Sequence, residues 1–232
     1  MGTVKPFKAQ MFEQLARIGK AVANGHRLEL LEFLAQGERS VEALAQVAGL
    51  SVANASQHLQ ILRQAGLADT RRDGQRVFYH LADDRVIDLL RLMRTLAEGR
   101  LAELNQLITL YLTSRDALEP LPAAELLPLA RAGVVTVLDV RPEEEYAAGH
   151  LPGAVNIPLK ALEANLAQLP AGRDVVAYCR GPWCVLAFEA VVRLRAAGFS
   201  ARRLEDGLPE WRQAGLPVAA GNDAASMGGV TD

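Results

Sequence analysis

The sequence is poor in cysteine, histidine and aromatic residues, and it lacks long apolar runs. Its 232 residues include 2 cysteines and 4 histidines, and aromatic residues make up 5% of the chain. There is no N-terminal signal pattern and no apolar run near roughly 18 residues, so we expect neither secretion nor a membrane span. Two cysteines that need to be reduced fit the cytosol, which predicts a cytoplasmic protein. Hydrophobic residues make up 50% of the chain, enough for two domains with cores of their own.

The scarcity of cysteine confines any thiol chemistry to one short segment. Residues 175–178 form an apolar run that predicts a buried strand, and residues 185–197 predict a helix. The segment between them is therefore a strand-to-helix loop. Backbone N–H groups at the helix start favour negative charge there, which lowers the pKa of a thiol and attracts an anion. The loop consists of Cys179, Arg180, Gly181, Pro182, Trp183 and Cys184.

Three further motifs surround this loop, at residues 138–146 (LDVRPEEEY), 149–158 (GHLPGAVNIP) and 204–211 (LEDGLPEW). In this order, with a cysteine ending a central strand, they resemble a rhodanese-like (sulfurtransferase) domain. The resemblance implies an α/β fold with a parallel sheet, in which Cys179 is the catalytic residue and carries a persulfide. It also implies that Asp139 and Arg141, at the end of another strand, support the loop as scaffold residues.

The loop departs from the sulfurtransferase pattern in two places. The family's loop resembles C-R-x-G-x-R or C-R-x-G-x-T, whereas here the glycine comes one place early and Cys184 occupies the last position. A terminal arginine or threonine helps to hold an anionic donor, so we expect weak thiosulfate turnover. Two roles are open for Cys184: a resolving thiol that attacks an oxidised Cys179, or a small buried residue of the first helical turn. Arg180 is the cation expected to stabilise a thiolate or persulfide on Cys179.

The N-terminal half has the pattern of a helix-turn-helix. Four helices are predicted, over residues 7–24, 25–35, 41–48 and 52–63. A glycine turn separates the last two, and the fourth helix presents a largely polar outer face. Residues 67–81 predict two strands around an Asp-Gly turn, which is a β-hairpin with arginines at its tip.

From about residue 12 to 81, the chain resembles the ArsR-type winged-helix repressors. The resemblance implies a homodimeric repressor whose recognition helices enter successive major grooves of double-stranded DNA while the wings touch its backbone. Base contacts would specify the operator, and wing arginines would add salt-dependent affinity. The predicted DNA-binding residues are Asn54, Ser56, Gln57 and His58 on the recognition helix, and Arg71, Arg72 and Arg76 on the wing.

Many members of this family sense metals, but the sequence lacks the ligands of both known types of site. Residues 41–49 contain no Cys-x-Cys pair, and no histidine occurs between His80 and His150. We therefore expect neither a metal ion nor another cofactor.

Residues 83–113 predict one continuous helix about 45 Å long, with Gly99 as the place for a bend. Its apolar residues recur every three or four positions, and a seam of this length predicts a dimer interface. The seam residues are Val86, Leu90, Met93, Ala97, Leu101, Leu104, Ile108 and Tyr111. The predicted organisation is a winged helix-turn-helix and dimerisation domain at 1–113, a linker at 114–122, a rhodanese-like domain at 123–218 and a disordered tail at 219–232.

Together these features predict a dimeric transcriptional repressor whose rhodanese-like domain responds to reactive sulfur or oxidants through Cys179. The alternative is an enzyme that also binds DNA, either a sulfurtransferase or an arsenate-reductase-like catalyst acting on an oxyanion. A third hypothesis keeps only the scaffold, with the second domain binding a partner. The missing terminal arginine argues against the enzyme, and the presence of Cys179 argues against an inert scaffold.

Overall fold

The computed structural model describes residues 6–114 and 119–221, and the chain divides into two compact units, Met1–Leu92 and Met93–Asp232. Residues 115–118 of the predicted linker and 222–232 of the predicted tail lie outside the described residues. None of the helices within the described ranges combines the length and the apolarity needed to cross a membrane.

The first unit opens with four helices, close to their predicted bounds. These are α1 (Phe7–Val22), α2 (Gly25–Ala35), α3 (Val41–Val47) and α4 (Val52–Gln64). Side chains of Asn24, Ser40 and Ser51 cap α2, α3 and α4 by accepting a backbone N–H three residues further on. Leu44, Leu59 and Leu62 are fully buried, so α3 and α4 pack through their apolar faces.

A small antiparallel sheet completes the winged fold. Its strands are β1 (Arg39–Ser40), β2 (Ala68–Asp73) and β3 (Arg76–Leu81), in the order β1-β3-β2. Asp73 pairs with Arg76 across the turn, where Gly74 has a φ of 59° that favours glycine. The predicted hairpin is confirmed. Strand β1 was not predicted because it is too short to show a periodicity.

The prediction of one continuous helix over 83–113 is wrong. Helix α5 (Arg85–Arg100) ends just before Leu101, whose φ of −106° and ψ of 102° are extended, and α6 (Ala102–Ile108) begins after it. The side-chain amide of Asn105 donates to the backbone oxygen of Glu98 at 2.7 Å, which compensates for hydrogen bonding lost at the break. A π-helical turn over Thr109–Thr113 follows.

The predicted apolar seam is covered by its own chain only in part. Val86 is buried and five further seam residues are half-buried, whereas Leu101 and Tyr111 remain more than half exposed. Neighbouring apolar residues such as Leu92 and Leu96 are also more than half exposed. The exposed apolar side chains of these helices therefore lie both in the seam and beside it.

The second unit contains a parallel four-stranded sheet. Its strands are β4 (Val135–Asp139), β5 (Val155–Asn156), β6 (Asp174–Tyr178) and β7 (Ala201–Arg203), in the order β5-β4-β6-β7. The helices are α7 (Ala123–Arg131), α8 (Glu143–Ala148), α9 (Val185–Ala196) and α10 (Leu208–Gln213), with 3₁₀ turns at Leu159–Ala161 and Glu163–Gln168. This arrangement confirms the predicted fold class.

Alternate residues of β6 enter two separate core layers. Val175, Ala177 and the following Cys179 join the layer that includes α9, whereas Val176 and Tyr178 join the layer with Trp211 of α10. Both faces of the sheet are therefore covered, as parallel sheets require.

The fold of the second unit continues past residue 218, where the tail is predicted to begin. Ala219 and His150 exchange two backbone hydrogen bonds of 2.9 Å, and the Gly221 N–H donates to the carbonyl oxygen of Ala147 at 2.9 Å.

Candidate functional site

The two cysteines close the loop between β6 and α9. Cys179 directly follows β6 and is buried, and the half-buried Cys184 is the N-cap residue of α9. A disulfide joins them across a Cα–Cα distance of 6.2 Å, and the Cys184 N–H donates to the Gly181 carbonyl at 3.0 Å. The predicted strand-to-helix loop thus brings both sulfur atoms together, which makes reversible thiol–disulfide chemistry available.

A buried ion pair supports the sheet edge from which the loop emerges. Arg141 is fully buried, and its Nε and Nη2 donate to the Asp139 carboxylate at 3.0 and 2.6 Å. Nη2 also donates to the Gly149 carbonyl at 2.8 Å. Burial alone would lower the pKa of Arg141, but the negative charge of Asp139 outweighs it and raises that pKa above its ordinary value. Both residues lie where the sequence predicts scaffold residues.

Tyr178 connects this ion pair to the cysteine loop. Its hydroxyl donates to Asp139 Oδ2 and accepts the Leu151 N–H at 3.1 Å. Burial, followed by the nearby charge of Asp139, raises the pKa of Tyr178 well above its usual value. The residue before Cys179 is therefore a neutral phenol that fixes the end of β6.

Arg180 anchors the loop through a carboxylate that sequence reasoning missed. Its Nε and Nη2 donate to the fully buried carboxylate of Glu145, with the shortest contact at 2.6 Å. Arg180 is the cation that the sequence predicts to stabilise a sulfur anion. Its positive charge is thus largely balanced by Glu145. Glu145 lies within one of the three motifs (LDVRPEEEY). Its place in this motif is the only feature of the sequence that points to a role near the loop.

Gly207 holds the loop from the other side. A Cβ atom at this position would lie 2.3 Å from the carbonyl oxygen of Arg180 and 2.5 Å from the N atom of Gly181. No residue other than glycine fits there without a shift of backbone. The glycine of the LEDGLPEW motif is therefore explained by a close approach to the cysteine loop.

The recognition helix α4 presents a polar surface in which the predicted residues differ in exposure. Asn54 and Gln57 are exposed, and Ser56 and His58 are half-buried. The His58 ring lies 5.8 Å from the ring of His26, and burial, followed by the positive charge of Arg27, lowers the pKa of His58. Part of the His58 side chain, including Nδ1, is therefore buried. No group of three potential metal ligands occurs within 6–114 and 119–221.

The wing arginines are not equivalent. Arg71 donates to both carboxylate oxygens of Glu38 and lies over the ring of Phe78, 5.0 Å from its centroid. Hydrogen bonds from Arg71 hold the pKa of Glu38 below its usual value. Arg72 and Arg76 are exposed and lie on either side of the turn.

Comparisons with known proteins agree with this architecture. A helix-turn-helix domain model matches residues 22–71, and a rhodanese-like domain model matches residues 122–214. The chain is 48% identical over 214 residues to the HTH-type transcriptional regulator Rv0324 of Mycobacterium tuberculosis, which covers 92% of this chain and 94% of the relative.

Shorter matches cover about two fifths of this chain. A probable mercury resistance operon repressor of Streptomyces lividans is 40% identical over 90 residues, 39% of this chain and 72% of the relative. A sulfurtransferase of Allochromatium vinosum is 31% identical over 93 residues, 40% of this chain and 85% of the relative. Among solved structures, the homodimeric winged helix-turn-helix domain of Mb0332 from Mycobacterium bovis is 43% identical, covering 44% of this chain and 95% of that chain with a TM-score of 0.40.

The fold and the sequence matches define a transcriptional regulator in which an ArsR-like winged helix-turn-helix precedes a rhodanese-like domain. The extent of the first match shows that the chain belongs to the family of the HTH-type transcriptional regulator Rv0324. Both resemblances inferred from the sequence are confirmed.

The Arg180–Glu145 contact predicts a specific pattern of stability. Arg180→Gln removes the cation that donates hydrogen bonds to the buried carboxylate of Glu145, so we expect the free energy of unfolding to fall by about 3 kcal/mol. The double variant Arg180→Gln/Glu145→Gln removes both charges and should recover more than half of this loss. Urea denaturation of the reduced proteins measures both values, and an unchanged stability of Arg180→Gln would show that the contact does not anchor the loop.

Proposed function

We propose that the protein is a homodimeric, DNA-binding transcriptional repressor whose rhodanese-like domain senses reactive sulfur or oxidants through Cys179, with Cys184 as the resolving thiol. The observation that carries the proposal is the pairing of the two cysteines across the strand-to-helix loop. In the cytoplasm, where such a regulator meets DNA, the glutathione pool keeps thiols reduced, so a disulfide there is a transient signal.

The sensing chemistry needs only a sulfane-sulfur donor such as a polysulfide. The Cys179 thiolate attacks the donor, an S–S bond of the donor breaks, and Cys179 becomes a persulfide. The Cys184 thiolate then attacks the inner sulfur of that persulfide, which forms the Cys179–Cys184 disulfide and releases hydrosulfide. Two thiols are oxidised and one sulfane sulfur is reduced, so the donor itself is the oxidant.

A peroxide leads to the same product by a parallel route. Oxidation of the Cys179 thiolate gives a sulfenic acid and water, or an alcohol for an organic peroxide. Attack by Cys184 then expels a second water and forms the disulfide. We expect the dithiol form to bind the operator and the disulfide form to release it.

A sulfurtransferase is the second candidate, and the similarity to the Allochromatium vinosum enzyme favours it. The loop is unfavourable for efficient catalysis because Arg180 is hydrogen-bonded to Glu145. Arg180 is therefore poorly placed to bind thiosulfate. A second thiol beside a persulfide also competes with transfer of that sulfur to an external acceptor. The engagement of Arg180 with Glu145 counts equally against an arsenate-reductase-like activity, because an oxyanion substrate also needs a cation to hold it.

Helix α1 supplies the surface that supports a homodimer. Phe7, Met11, Phe12 and Leu15 are all more than half exposed, and their spacing places them on one side of the helix. Four large apolar side chains on one helix face form a patch of the kind that marks protein interfaces. A second copy of the chain is the occupant we propose, because two half-sites on DNA require two linked recognition helices.

The unequal wing arginines predict unequal effects on DNA affinity. Arg72→Ala removes an exposed cation, so the slope of log affinity against log salt should flatten by up to about one unit. Arg71→Ala removes a cation whose charge Glu38 already balances, and its effect should be clearly smaller. Operator titrations at several salt concentrations measure both slopes. Unchanged slopes for Arg72→Ala and Arg76→Ala would refute the wing assignment.

The α1 patch predicts which substitutions separate the dimer. Leu15→Glu places a charge in the patch and should give monomers with at least about tenfold weaker operator binding, since one recognition helix loses its partner. Val134→Glu, which charges an equally exposed apolar residue in the other unit, should remain dimeric. Light scattering after size exclusion decides between these outcomes, and a dimeric Leu15→Glu would place the interface elsewhere.

The cysteine variants separate a sensor from an enzyme. Cys179→Ser should bind the operator but ignore polysulfide and peroxide, because the recognition helix does not depend on this thiol. Cys184→Ser should accept a sulfur or oxygen on Cys179 without closing the disulfide, so its response should be weaker and reversible by mild thiol. Intact mass and operator binding are measured on the same samples.

An enzyme gives a different pattern in the same series. Wild type would then transfer sulfur from thiosulfate to cyanide with ordinary turnover, and Cys184→Ser would be no worse. Robust turnover together with DNA binding that ignores oxidants would contradict the sensor.

A further inference from the structure

The loop residue Trp183 makes a contact that sulfur chemistry does not require. Its indole N–H donates to Glu98 Oε1 on α5 at 2.8 Å. Arg94, one helical turn earlier on α5, places its guanidinium 6.0 Å from the centroid of the Trp183 ring. A side chain located between the two cysteines is thus bound to the helix that directly follows the wing in sequence.

A second contact joins α5 to the other support of the loop. Arg94 Nη2 lies 3.1 Å from Glu210 Oε1, and these side chains are only 18% and 12% exposed. The other oxygen of Glu210 accepts the Gly207 N–H at 3.2 Å, and Gly207 touches the backbone of the loop. We call Trp183, Glu98, Arg94 and Glu210 the Trp183 cluster. Through it the loop is connected to α5 both directly and by way of α10.

The disulfide restrains the position of Trp183. Cys184, its neighbour in sequence, is bonded covalently to the end of β6 and by its N–H to Gly181. Reduction removes the covalent restraint while the contacts of the Trp183 cluster remain as the loop's links to α5. A difference in the free energy of the Trp183–Glu98 hydrogen bond between the disulfide and dithiol forms would couple the cysteine pair to α5.

We propose that the Trp183 cluster is the element that transmits the redox state of Cys179 and Cys184 to α5. Trp183 acts as a positioning residue. It takes no part in the sulfur chemistry, and its hydrogen bond to Glu98 makes α5 sensitive to the position of the loop. This inference rests on the proposed sensor function and adds the path by which the redox state reaches α5. The sequence analysis did not assign the cluster residues on α5 and α10, which are Arg94, Glu98 and Glu210, to any site.

The direct test uses the full-length dimer and the variant Glu98→Ala, with Glu103→Ala as the matched control that removes an exposed carboxylate from α6. Each protein is prepared as dithiol and, after polysulfide, as disulfide, and the operator Kd is measured for both forms. For wild type and Glu103→Ala we expect the two Kd values to differ by at least about fivefold. For Glu98→Ala the ratio should fall below about twofold, while intact mass shows that the disulfide still forms.

The outcomes distinguish the two proposals. If wild type responds and Glu98→Ala responds equally, the Trp183 cluster does not carry the signal, although the sensor function stands. If wild type itself shows no difference between the two forms, the sensor function fails and this inference fails with it.

A spectroscopic measurement guards against a variant that folds poorly. The chain contains two tryptophans, so a ¹⁵N-labelled wild type gives two indole N–H signals, and Trp183→Phe identifies the one from Trp183. We expect the Trp183 signal to shift between the disulfide and dithiol forms, while the Trp211 signal, whose N–H donates to the Pro217 carbonyl, stays in place. An unchanged Trp183 signal would overturn the proposal.

Discussion

The buried ion pair between Asp139 and Arg141 is the constraint on which the cysteine loop depends. It ties the end of β4 to the Gly149 carbonyl and, through the Tyr178 hydroxyl, to the end of β6. Two charges taken out of water are tolerated only when their hydrogen bonds are well satisfied, which makes this geometry rigid. Cys179 follows Tyr178 directly, so one of the two sulfur atoms starts from a fixed position. The other lies at the start of α9, and the loop between them is held by Glu145, Gly207 and Glu98.

The surroundings of the loop favour a switch over a catalyst. A sulfurtransferase benefits from a cation that holds an anionic donor and from a persulfide that waits for an acceptor. Here Arg180 is paired with Glu145, and a second thiol lies within bonding distance of Cys179. These features support the proposed reversible two-electron change between dithiol and disulfide, and the Trp183–Glu98 hydrogen bond connects the loop to α5. The exposed apolar face of α1 and the polar face of α4 provide the surfaces that a dimeric DNA-binding protein needs.

Local sequence patterns predicted most of the helices and strands, but they did not predict the contacts between residues far apart in sequence. The Asp-Gly turn, the helix predicted at 41–48 and the strand before Cys179 each follow from a few adjacent residues, and all are present. The break at Leu101 was missed because apolar spacing continues through it, so periodicity alone cannot show where a backbone leaves the helix. Glu145 and Glu98 were missed because their partners, Arg180 and Trp183, are 35 and 85 residues away in sequence. The sequence around a charged residue on a helix does not indicate which distant side chain that residue binds.

Thermodynamic linkage offers the most direct test of a redox-controlled repressor. If the disulfide weakens operator binding, the operator must in turn stabilise the dithiol by the same factor. The reduction potential of the Cys179–Cys184 pair should therefore become more positive when operator DNA is present, by about 30 mV for each tenfold difference in affinity. The potential is measured by redox titration in a glutathione buffer with intact mass as the readout, with and without saturating operator. A positive shift supports the account, and the same potential in both titrations would contradict it.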